Sequence, residues 1–246
     1  MHPIICQIGP LTIYSYGLMM AIAVLLCVFL AGRDAAVLGV SREIIYDLAF
    51  WTVFAGIIGA RIFFVILEWD FFAVHPGEVL MLQKGGLAWQ GGLIGGVSTG
   101  LIYVRLKRLS VLAMADFAAP YIALGHAIGR IGCFLNGCCY GREVPWGIFF
   151  PAHQAHLHPT QLYESVSLFV IFLILKKMRN SFPIPGQTFA LYLILASMER
   201  LVVEFFRADH LVTYAGLSVF QWMTLAIGAV GMILYAAVTR RGKSRL

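Results

Sequence analysis

The chain has 246 residues, of which 60% are hydrophobic and 12% are charged, and its mean hydropathy is +0.84. Soluble domains carry roughly 25% charged residues, so this composition excludes an aqueous globular protein and predicts that the chain lies in a lipid bilayer. The formal net charge of +6 could indicate nucleic-acid binding, but the basic residues lie between apolar runs, as in membrane proteins, and no nucleic acid is expected as a partner.

The N-terminal segment, MHPIICQIGPLTIYSYGLMM, has neither a basic region nor a small-residue cleavage site. It therefore differs from a removable signal peptide, and we expect the first span to be retained. Tyr14 and Tyr16 open this span. By themselves they are also explained by an ordinary aromatic belt at the membrane interface.

Apolar runs of about 17 to 25 residues, the length that crosses a bilayer, occur at seven places. They cover approximately residues 14–31, 45–67, 87–104, 111–135, 160–175, 187–206 and 216–238. No internal repeat or low-complexity segment is evident. The sequence therefore predicts an all-α integral membrane protein, a bundle of seven transmembrane helices forming a single domain over residues 1–246.

Clusters of basic residues predict the orientation of these spans. Four clusters hold 12 of the 18 Lys and Arg residues: Arg33 and Arg42; Arg105, Lys107 and Arg108; Lys176, Lys177 and Arg179; and Arg240, Arg241, Lys243 and Arg245. With seven spans all four lie on one side, and because basic loops stay in the cytoplasm, the N-terminus is predicted outside and the C-terminus inside. The remaining basic residues fall mostly in or near the outer half of the membrane, where charge is costly: Arg61, Lys84, Arg130, Arg142, Arg200 and Arg207.

Polar residues concentrate at the predicted outer ends of five spans. The polar residues of spans three to six are Gln90, Asp116, His126, Arg130, Gln161, Tyr163, Glu164, Glu199, Arg200, Glu204 and Arg207. Arg200, Glu204 and Arg207 share one helix face at i, i+4 and i+7. One glutamate between two arginines leaves surplus positive charge, which favours an anionic ligand over a self-neutralised ladder. The glycines at 91 and 92 could serve a ligand or could equally let helices pack closely.

The segment GHAIGRIGCFLNGCCYGR, residues 125–142, contains five glycines, three cysteines and two arginines. Glycine permits irregular backbone, which at membrane depth survives only inside protein or around a wet cavity. Exposed N–H groups there, with Asn136 and the guanidinium groups of Arg130 and Arg142, would bind a phosphate. The cysteine spacing is not that of a zinc site, so neither a metal nor another cofactor is expected.

Two other functional classes fit part of this pattern. A transporter or channel also uses broken, glycine-rich helices and buried charges, although here the polar residues gather at one leaflet rather than at the midplane. A protein that binds or scrambles lipids without any reaction is the other.

Five blocks of the sequence resemble bacterial prolipoprotein diacylglyceryl transferases. They are YGLM at 16–19, GGLIGG at 91–96, GRIGCFLNGCCYGR at 129–142, HPTQLYE at 158–164 and VEFFR at 203–207. The blocks follow the order of the family over nearly the whole chain. One block would be suggestive, whereas five in order are specific.

The resemblance implies an enzyme of the bacterial cytoplasmic (inner) membrane with its active site toward the outer leaflet. Its partners would be phosphatidylglycerol, a prolipoprotein signal peptide with a lipobox cysteine, and membrane lipids. The diacylglyceryl group would move to the cysteine as a thioether and glycerol 1-phosphate would leave, the first step of lipoprotein maturation. Because the substrate supplies the nucleophile, Cys133, Cys138 and Cys139 need not be catalytic.

The resemblance also assigns roles to individual residues. It implies that Arg130 contacts phosphatidylglycerol, that Arg207 is essential and that Tyr16 is the tyrosine of the first block. Well-studied members carry a histidine where this chain has Gln90, and because glutamine cannot act as a base, His126, Tyr16 or the positive field alone must help the thiol lose its proton. The predicted catalytic residues are Arg130, Arg207, Tyr16, Gln90 and His126, and the predicted substrate-binding residues are Arg130, Asn136, Gly91, Gly92, Gly141, Arg142, Glu204, Arg200, Tyr163 and Glu164.

Overall fold

The structure is a computed structural model that describes residues 1–8, 11–81, 85–208 and 212–243. Lys84, Arg245 and the side chain of Lys243, which entered the topology argument, lie outside this description. Every predicted apolar run coincides with a long helix. The long helices are α1 (Ser15–Asp34), α2 (Arg42–Leu67), α4 (Trp89–Leu106), α5 (Val111–Asn136), α6 (Thr160–Met178), α7 (Gln187–Glu204) and α8 (Val219–Lys243), and a short α3 (Trp69–Val74) follows α2.

Within the described residues, four helical segments are long and apolar enough to cross a membrane. They are Ser15–Leu38, Arg42–Leu67, Val111–Asn136 and Val219–Arg241. The remaining long helices, α4, α6 and α7, have only 18 or 19 residues, and α6 and α7 carry several charged side chains. The protein is therefore a largely helical membrane protein, and its seven spans and the orientation of its termini stay predictions.

Three two-stranded antiparallel hairpins depart from the all-α expectation. They pair β1 (Ile4–Ile8) with β2 (Leu11–Tyr14), β3 (Glu143–Phe150) with β4 (Ala155–Leu157), and β5 (Val212–Tyr214) with β6 (Leu217–Ser218). Each lies outside the predicted apolar runs or at the edge of one. A search for long apolar runs overlooks such strands because they have two to eight residues and pair only with each other.

The chain forms two compact units, residues 32–114 and residues 1–31 with 115–246; the predicted single domain stays a prediction. In the first of these, α2 and α4 pack through glycines. A Cβ on Gly95 would lie 2.5 Å from the carbonyl oxygen of Ala55, and a Cβ on Gly91 would overlap Gly59 and Phe63. Gly91 therefore contributes to close helix packing, and its predicted role in ligand binding stays a prediction.

Arg61, one of the basic residues predicted to lie in or near the outer half of the membrane, is buried in this unit. Its guanidinium group donates hydrogen bonds to the carbonyl oxygens of Val79 at 2.7 Å, Gly85 at 2.7 Å and Gly86 at 2.9 Å. It also donates a hydrogen bond to the backbone carbonyl oxygen of Glu78 at 2.6 Å. A buried cation is tolerated when its donors are satisfied, and Arg61 holds residues 78–79 and 85–86 in place.

The unit of residues 1–31 and 115–246 has a core of small and aliphatic side chains between α5 and α6. Ala119, Ala123, Leu168 and Leu175 are fully buried there. The carboxylate of Asp116 accepts hydrogen bonds from the backbone N–H groups of Gly186 at 2.6 Å and Phe189 at 2.7 Å, which satisfies donors at the start of α7. These contacts hold the start of α7 against the first part of α5, at the opposite ends of both helices from Arg130 and Arg200.

Candidate active site

Glu164 is the centre of a buried group of ion pairs. Its side chain is fully buried on α6, and its two oxygens face Arg130 of α5 and Arg200 of α7. Arg200 donates a hydrogen bond from Nη1 to Oε1 of Glu164 at 3.0 Å, and Nη1 of Arg207 lies 3.7 Å from the same oxygen. A carboxylate with no exposed surface is stable only when it is paired in this way.

Glu204 of α7 is the second buried carboxylate of the group. Nη2 of Arg200 lies 2.7 Å from its Oε2, and Nε of Arg207 lies 3.8 Å from the same atom. The Ser218 hydroxyl donates a hydrogen bond to Oε1 of Glu204 at 3.1 Å and accepts one from the backbone N–H of Gln221. The start of α8 therefore holds the carboxylate that orients two arginines.

We call Arg130, Glu164, Arg200, Glu204 and Arg207 the ion-pair cluster. It brings together three guanidinium groups and two carboxylates, so its formal charge is +1. The surplus positive charge predicted from Arg200, Glu204 and Arg207 is thus found in the folded protein, with Arg130 and Glu164 added from α5 and α6. The prediction that these three residues share one helix face was wrong for Arg207, because α7 ends at Glu204 and Arg207 forms a β-bridge with Gly141. An unbalanced buried cation favours an anion at its side.

The loop of residues 137–142 connects the end of α5 to β3 and is held from two sides. Gln161 donates a hydrogen bond to the carbonyl oxygen of Cys138 at 2.6 Å, and Thr160 donates one to that of Cys139 at 2.7 Å. The backbone N–H of Gly141 donates a hydrogen bond to the carbonyl oxygen of His158 at 2.9 Å, and the backbone N–H of Arg142 donates one to the carbonyl oxygen of Phe206 at 2.8 Å. The signature segment is therefore fixed against the beginning of α6 and the residues that lead to Arg207.

Gly141 leaves no room for a side chain. A Cβ at this position would lie 2.5 Å from the Phe206 carbonyl oxygen and 2.5 Å from Cβ of His158. We expect Gly141→Ala to lower the thermal stability of the purified protein and to reduce its activity, because the loop must move away from Phe206 and Arg207 follows it. Gly77→Ala is the control, since nothing lies within 4 Å of a Cβ there. Equal stability of the two variants would contradict this role.

Three residues predicted to bind substrate lie in or next to this loop: Asn136, Arg142 and Tyr163. The Tyr163 hydroxyl and Nδ1 of His158 are 3.1 Å apart, and both rings contact Phe206. Arg142 has an exposed side chain, and Asn136 is the last residue of α5. Their binding of a substrate stays a prediction.

Three cysteine thiols converge beside Arg130. The Sγ atoms of Cys133, Cys138 and Cys139 all lie within 4.8 Å of one another. The Cys138 thiol donates a hydrogen bond to the carbonyl oxygen of Cys133 at 3.7 Å. The neighbouring Cys133 and Cys138 thiols hold the pKa of the Cys139 thiol well below its usual range, and Arg130 and Arg207 act in the same direction. Cysteine spacing in the sequence concealed this arrangement.

Two predicted catalytic residues lie near Arg130. Tyr16, in the first turn of α1, is 43% exposed, and a Cβ on Gly132 would lie 3.3 Å from its ring, which places Tyr16 against the end of α5. His126 lies one turn before Arg130 on α5 and has an exposed side chain. By contrast, Gln90, Gly91 and Gly92 belong to the unit of residues 32–114, and their part in the site stays a prediction.

Glu199 and the polar side chains that position the cluster were not among the predicted site residues. Oε1 of Glu199 is buried and accepts no hydrogen bond, although Glu164, Arg130 and Arg200 interact with it electrostatically. Glu199 directly precedes Arg200 in the sequence, which was the available signal. Thr160 and Gln161 lie in the HPTQLYE block, and Gln161 was among the polar residues at the predicted outer ends, but the sequence did not show that they hold the 137–142 loop. Ser218 gave no signal, because it acts on Glu204, a partner distant in the chain.

Comparison with known proteins identifies the family. The sequence profile of prolipoprotein diacylglyceryl transferase matches residues 3–237. The phosphatidylglycerol–prolipoprotein diacylglyceryl transferase of Bacillus cytotoxicus is 36% identical over 250 residues, covering 97% of this chain and 92% of that protein. That of Bacillus velezensis is 34% identical, and the match covers 95% of this chain and 90% of that protein. That of Staphylococcus aureus (strain bovine RF122 / ET3-1) is 33% identical, and the match covers 96% of this chain and 89% of that protein. The chain therefore belongs to the prolipoprotein diacylglyceryl transferase family.

Proposed function

We propose that the protein transfers the diacylglyceryl group of phosphatidylglycerol to the thiol of the lipobox cysteine in a prolipoprotein. The observation that carries this proposal is the ion-pair cluster, in which three arginines surround two buried carboxylates. Its surplus positive charge suits a phosphodiester that becomes a more highly charged phosphate monoester as it leaves. Family membership supplies the pair of substrates.

The reaction is a displacement at carbon. The cysteine sulfur of the prolipoprotein attacks the carbon of the diacylglyceryl group of phosphatidylglycerol that is bonded to the phosphate oxygen. The carbon–sulfur bond forms while the carbon–oxygen bond breaks, and the oxygen keeps the electron pair and leaves as glycerol 1-phosphate. Arg130 and Arg207 bind the phosphate, because guanidinium groups match its oxygens through paired, charge-assisted hydrogen bonds. Charge that develops on the leaving oxygen is stabilised most where water is excluded.

The remaining residues position these arginines. Glu164 and Glu204 hold the three guanidinium groups in one orientation and prevent them from turning toward separate partners. Ser218 fixes Glu204, and the 137–142 loop carries Gly141 and Arg142 to the same side. Preorganised charges of this kind need not reorganise during the reaction, which is the source of their catalytic effect.

The thiol must also lose its proton, since the thiolate is the nucleophile. Gln90 cannot accept a proton. Glu199 has a buried oxygen without a hydrogen-bond partner and lies close enough to Arg130 and Arg200 to interact with them. If Glu199 takes the proton, it becomes neutral while the ion-pair cluster keeps its positive charge for the leaving phosphate. His126 and Tyr16 are the other candidates in the same unit.

We expect Glu199→Gln to slow transfer by about 10²-fold, the usual contribution of a positioned proton acceptor. The wild-type rate should fall at low pH as the acceptor becomes protonated, and this acidic limb should disappear in the variant. His126→Gln is the matched comparison, because it removes a titratable group one turn from Arg130 without changing the cluster. A lost acidic limb in His126→Gln, with an unchanged profile in Glu199→Gln, would assign the proton to the histidine instead.

The activity is tested directly with the purified protein, phosphatidylglycerol vesicles and a synthetic peptide that contains a lipobox cysteine. We expect the peptide mass to increase by one diacylglyceryl group and glycerol 1-phosphate to appear in equal amount. A peptide with serine in place of the cysteine should stay unmodified. An unmodified cysteine peptide, together with solute flux or lipid scrambling in the vesicles, would favour the transporter or lipid-binding alternative.

We propose that this reaction takes place at the outer leaflet of the bacterial cytoplasmic membrane. All seven long helices would cross the bilayer, with the N-terminus outside and basic residues such as Arg33, Lys107 and Lys176 inside. The cluster residues then lie at the outer ends of α5, α6 and α7. Labelling single introduced cysteines near each terminus in intact cells with a membrane-impermeant reagent would test this orientation.

A further inference from the structure

The thiols of Cys133, Cys138 and Cys139 serve no step of the proposed transfer, because the reacting thiol belongs to the prolipoprotein. Their three Sγ atoms nevertheless lie within 4.8 Å of one another, at the end of α5 and in the 137–142 loop. We propose that these three cysteines form a binding site for a thiophilic metal ion, of the Zn²⁺ or Cu⁺ type. We call Cys133, Cys138 and Cys139 the thiol cluster; its cysteines do not have the Cys-x-x-Cys spacing that is typical of metal sites.

The separation of the sulfur atoms fits such an ion. With metal–sulfur bonds of about 2.3 Å, a tetrahedral site places its sulfur atoms about 3.8 Å apart and a trigonal site about 4.0 Å apart. The thiol cluster already meets this size to within about an ångström, so rotation of the cysteine side chains suffices to close it. Thiolate ligands select soft ions over Mg²⁺ or Ca²⁺, which defines the class of metal.

The backbone explains how two adjacent cysteines reach one point. Neighbouring side chains normally diverge, which argues against a shared metal ion. Here Gly137 has a φ of 77° and Cys139 has a φ of 62°, and both lie in the left-handed region. A residue other than glycine in this conformation is strained. The reversed turn brings the Cys138 and Cys139 thiols to the same side as Cys133, so the strain produces the thiol cluster.

The surrounding charges favour bound thiolates. Arg130 interacts electrostatically with Cys133 and Cys139, and Arg207 interacts with Cys139. Three thiolates with Zn²⁺ carry one negative charge, and with Cu⁺ two, and the formal charge of +1 on the ion-pair cluster offsets much of it. Thiols lose their protons when they bind a metal, and the adjacent guanidinium groups compensate the negative charge of the bound thiolates. The Cys138 thiol donates a hydrogen bond to the carbonyl oxygen of Cys133 at 3.7 Å, which helps to orient it.

A bound metal ion would connect the end of α5 to the loop that carries Gly141 and Arg142. This connection links Cys133, three residues after Arg130, to residues that hydrogen-bond Thr160 and Gln161 of α6. We therefore expect metal binding to raise stability, because only the folded chain brings all three sulfur atoms together.

The test is a titration of the purified protein with Cd²⁺, a spectroscopic substitute for Zn²⁺, after reduction with a phosphine that contains no thiol. We expect one Cd²⁺ per chain to bind with an ultraviolet thiolate-to-metal charge-transfer band, displacement by Zn²⁺ and an increase in the melting temperature. The variant Cys133→Ser, Cys138→Ser, Cys139→Ser should lose the band and the increase. The control variant Cys6→Ser, Cys27→Ser should keep both, since these thiols lie outside the thiol cluster.

Several results would overturn the proposal. If the reduced wild-type protein shows no band although the Cys133, Cys138 and Cys139 thiols react with a thiol reagent, a metal site is excluded. A band that persists in the variant lacking the thiol cluster assigns the metal to other groups. Protection from thiol reagents that only a disulfide reductant reverses, with no Cd²⁺ bound even after reduction, would show that the cysteines form a disulfide instead. The serine variant remains interpretable because diacylglyceryl transfer gives an independent measure that it is folded.

Discussion

Arg130→Ala is expected to lower diacylglyceryl transfer by about 10²–10³-fold, the loss that follows removal of one preorganised charge-stabilising group. Arg130 is the cluster arginine contributed by α5, and it lies beside the thiol cluster as well as Glu164. Glu164 keeps Arg200 and Arg207 as partners in the variant, so the chain should still insert and fold. The rate is measured with saturating lipid and peptide, and insertion is followed by the yield of monodisperse protein.

Two further variants separate charge from geometry at this position. Arg130→Lys keeps the positive charge but loses the planar pair of donors, and we expect it to recover only part of the rate. Arg105→Ala, an exposed arginine at the end of α4, is the matched control and should retain wild-type transfer. Full activity of Arg130→Ala would reject its role in phosphate binding, whatever the behaviour of the lysine variant.

Glu164→Gln is expected to reduce both stability and activity. The substitution removes the carboxylate that pairs with Arg130, whereas Arg200 and Arg207 keep Glu204 as a partner. Breaking a buried ion pair by removing one partner costs about 3–5 kcal/mol, because the other charge stays buried without compensation. We expect a decrease of this size in the free energy of unfolding, measured in mixed micelles with a denaturing detergent, and transfer below detection as the arginines separate.

Glu143→Gln serves as the control, because it makes the same chemical change at an exposed residue at the start of β3. Its effect should stay within about 0.5 kcal/mol. The double variant Arg130→Met, Glu164→Gln tests the pairing itself. It should lose less stability than the two single variants added together, since residues in direct contact are coupled. Strict additivity would show that Arg130 and Glu164 act independently.

The helices and the polar surplus were predicted well because membrane solvation acts on each segment separately. An apolar run such as 45–67 must form a helix in lipid to satisfy its own backbone groups, and α2 spans Arg42–Leu67. The i, i+4 pair of Arg200 and Glu204 on α7 follows from helical periodicity, and their ion pair confirms it. Arg207 reaches the same carboxylate from beyond the end of α7, which periodicity did not predict. The hairpins were missed, since their short strands depend on pairing with each other.

The meaning of the cysteines changed most between sequence and structure. Their spacing argued against a metal site because neighbouring side chains normally diverge. The left-handed backbone at Gly137 and Cys139 removes that objection, and the thiol cluster results. Glycine at 137 was visible in the sequence, but the conformation of Cys139 was not, because contacts with residues distant in the chain, such as Thr160 and Gln161, hold the loop in a strained turn.

The sequence by itself determined that this protein lies in a membrane, where its helices lie along the chain, and which family it resembles, since hydropathy, charge and ordered motifs are local properties. Only the tertiary structure decided which charges meet. Arg130, Glu164 and Arg207 come from three separate segments, and their ion pairs exist because the packing of α5 on α6 and the hold on the 137–142 loop bring them together. A buried charge is stabilised by its neighbours in space, and the sequence does not contain those distances.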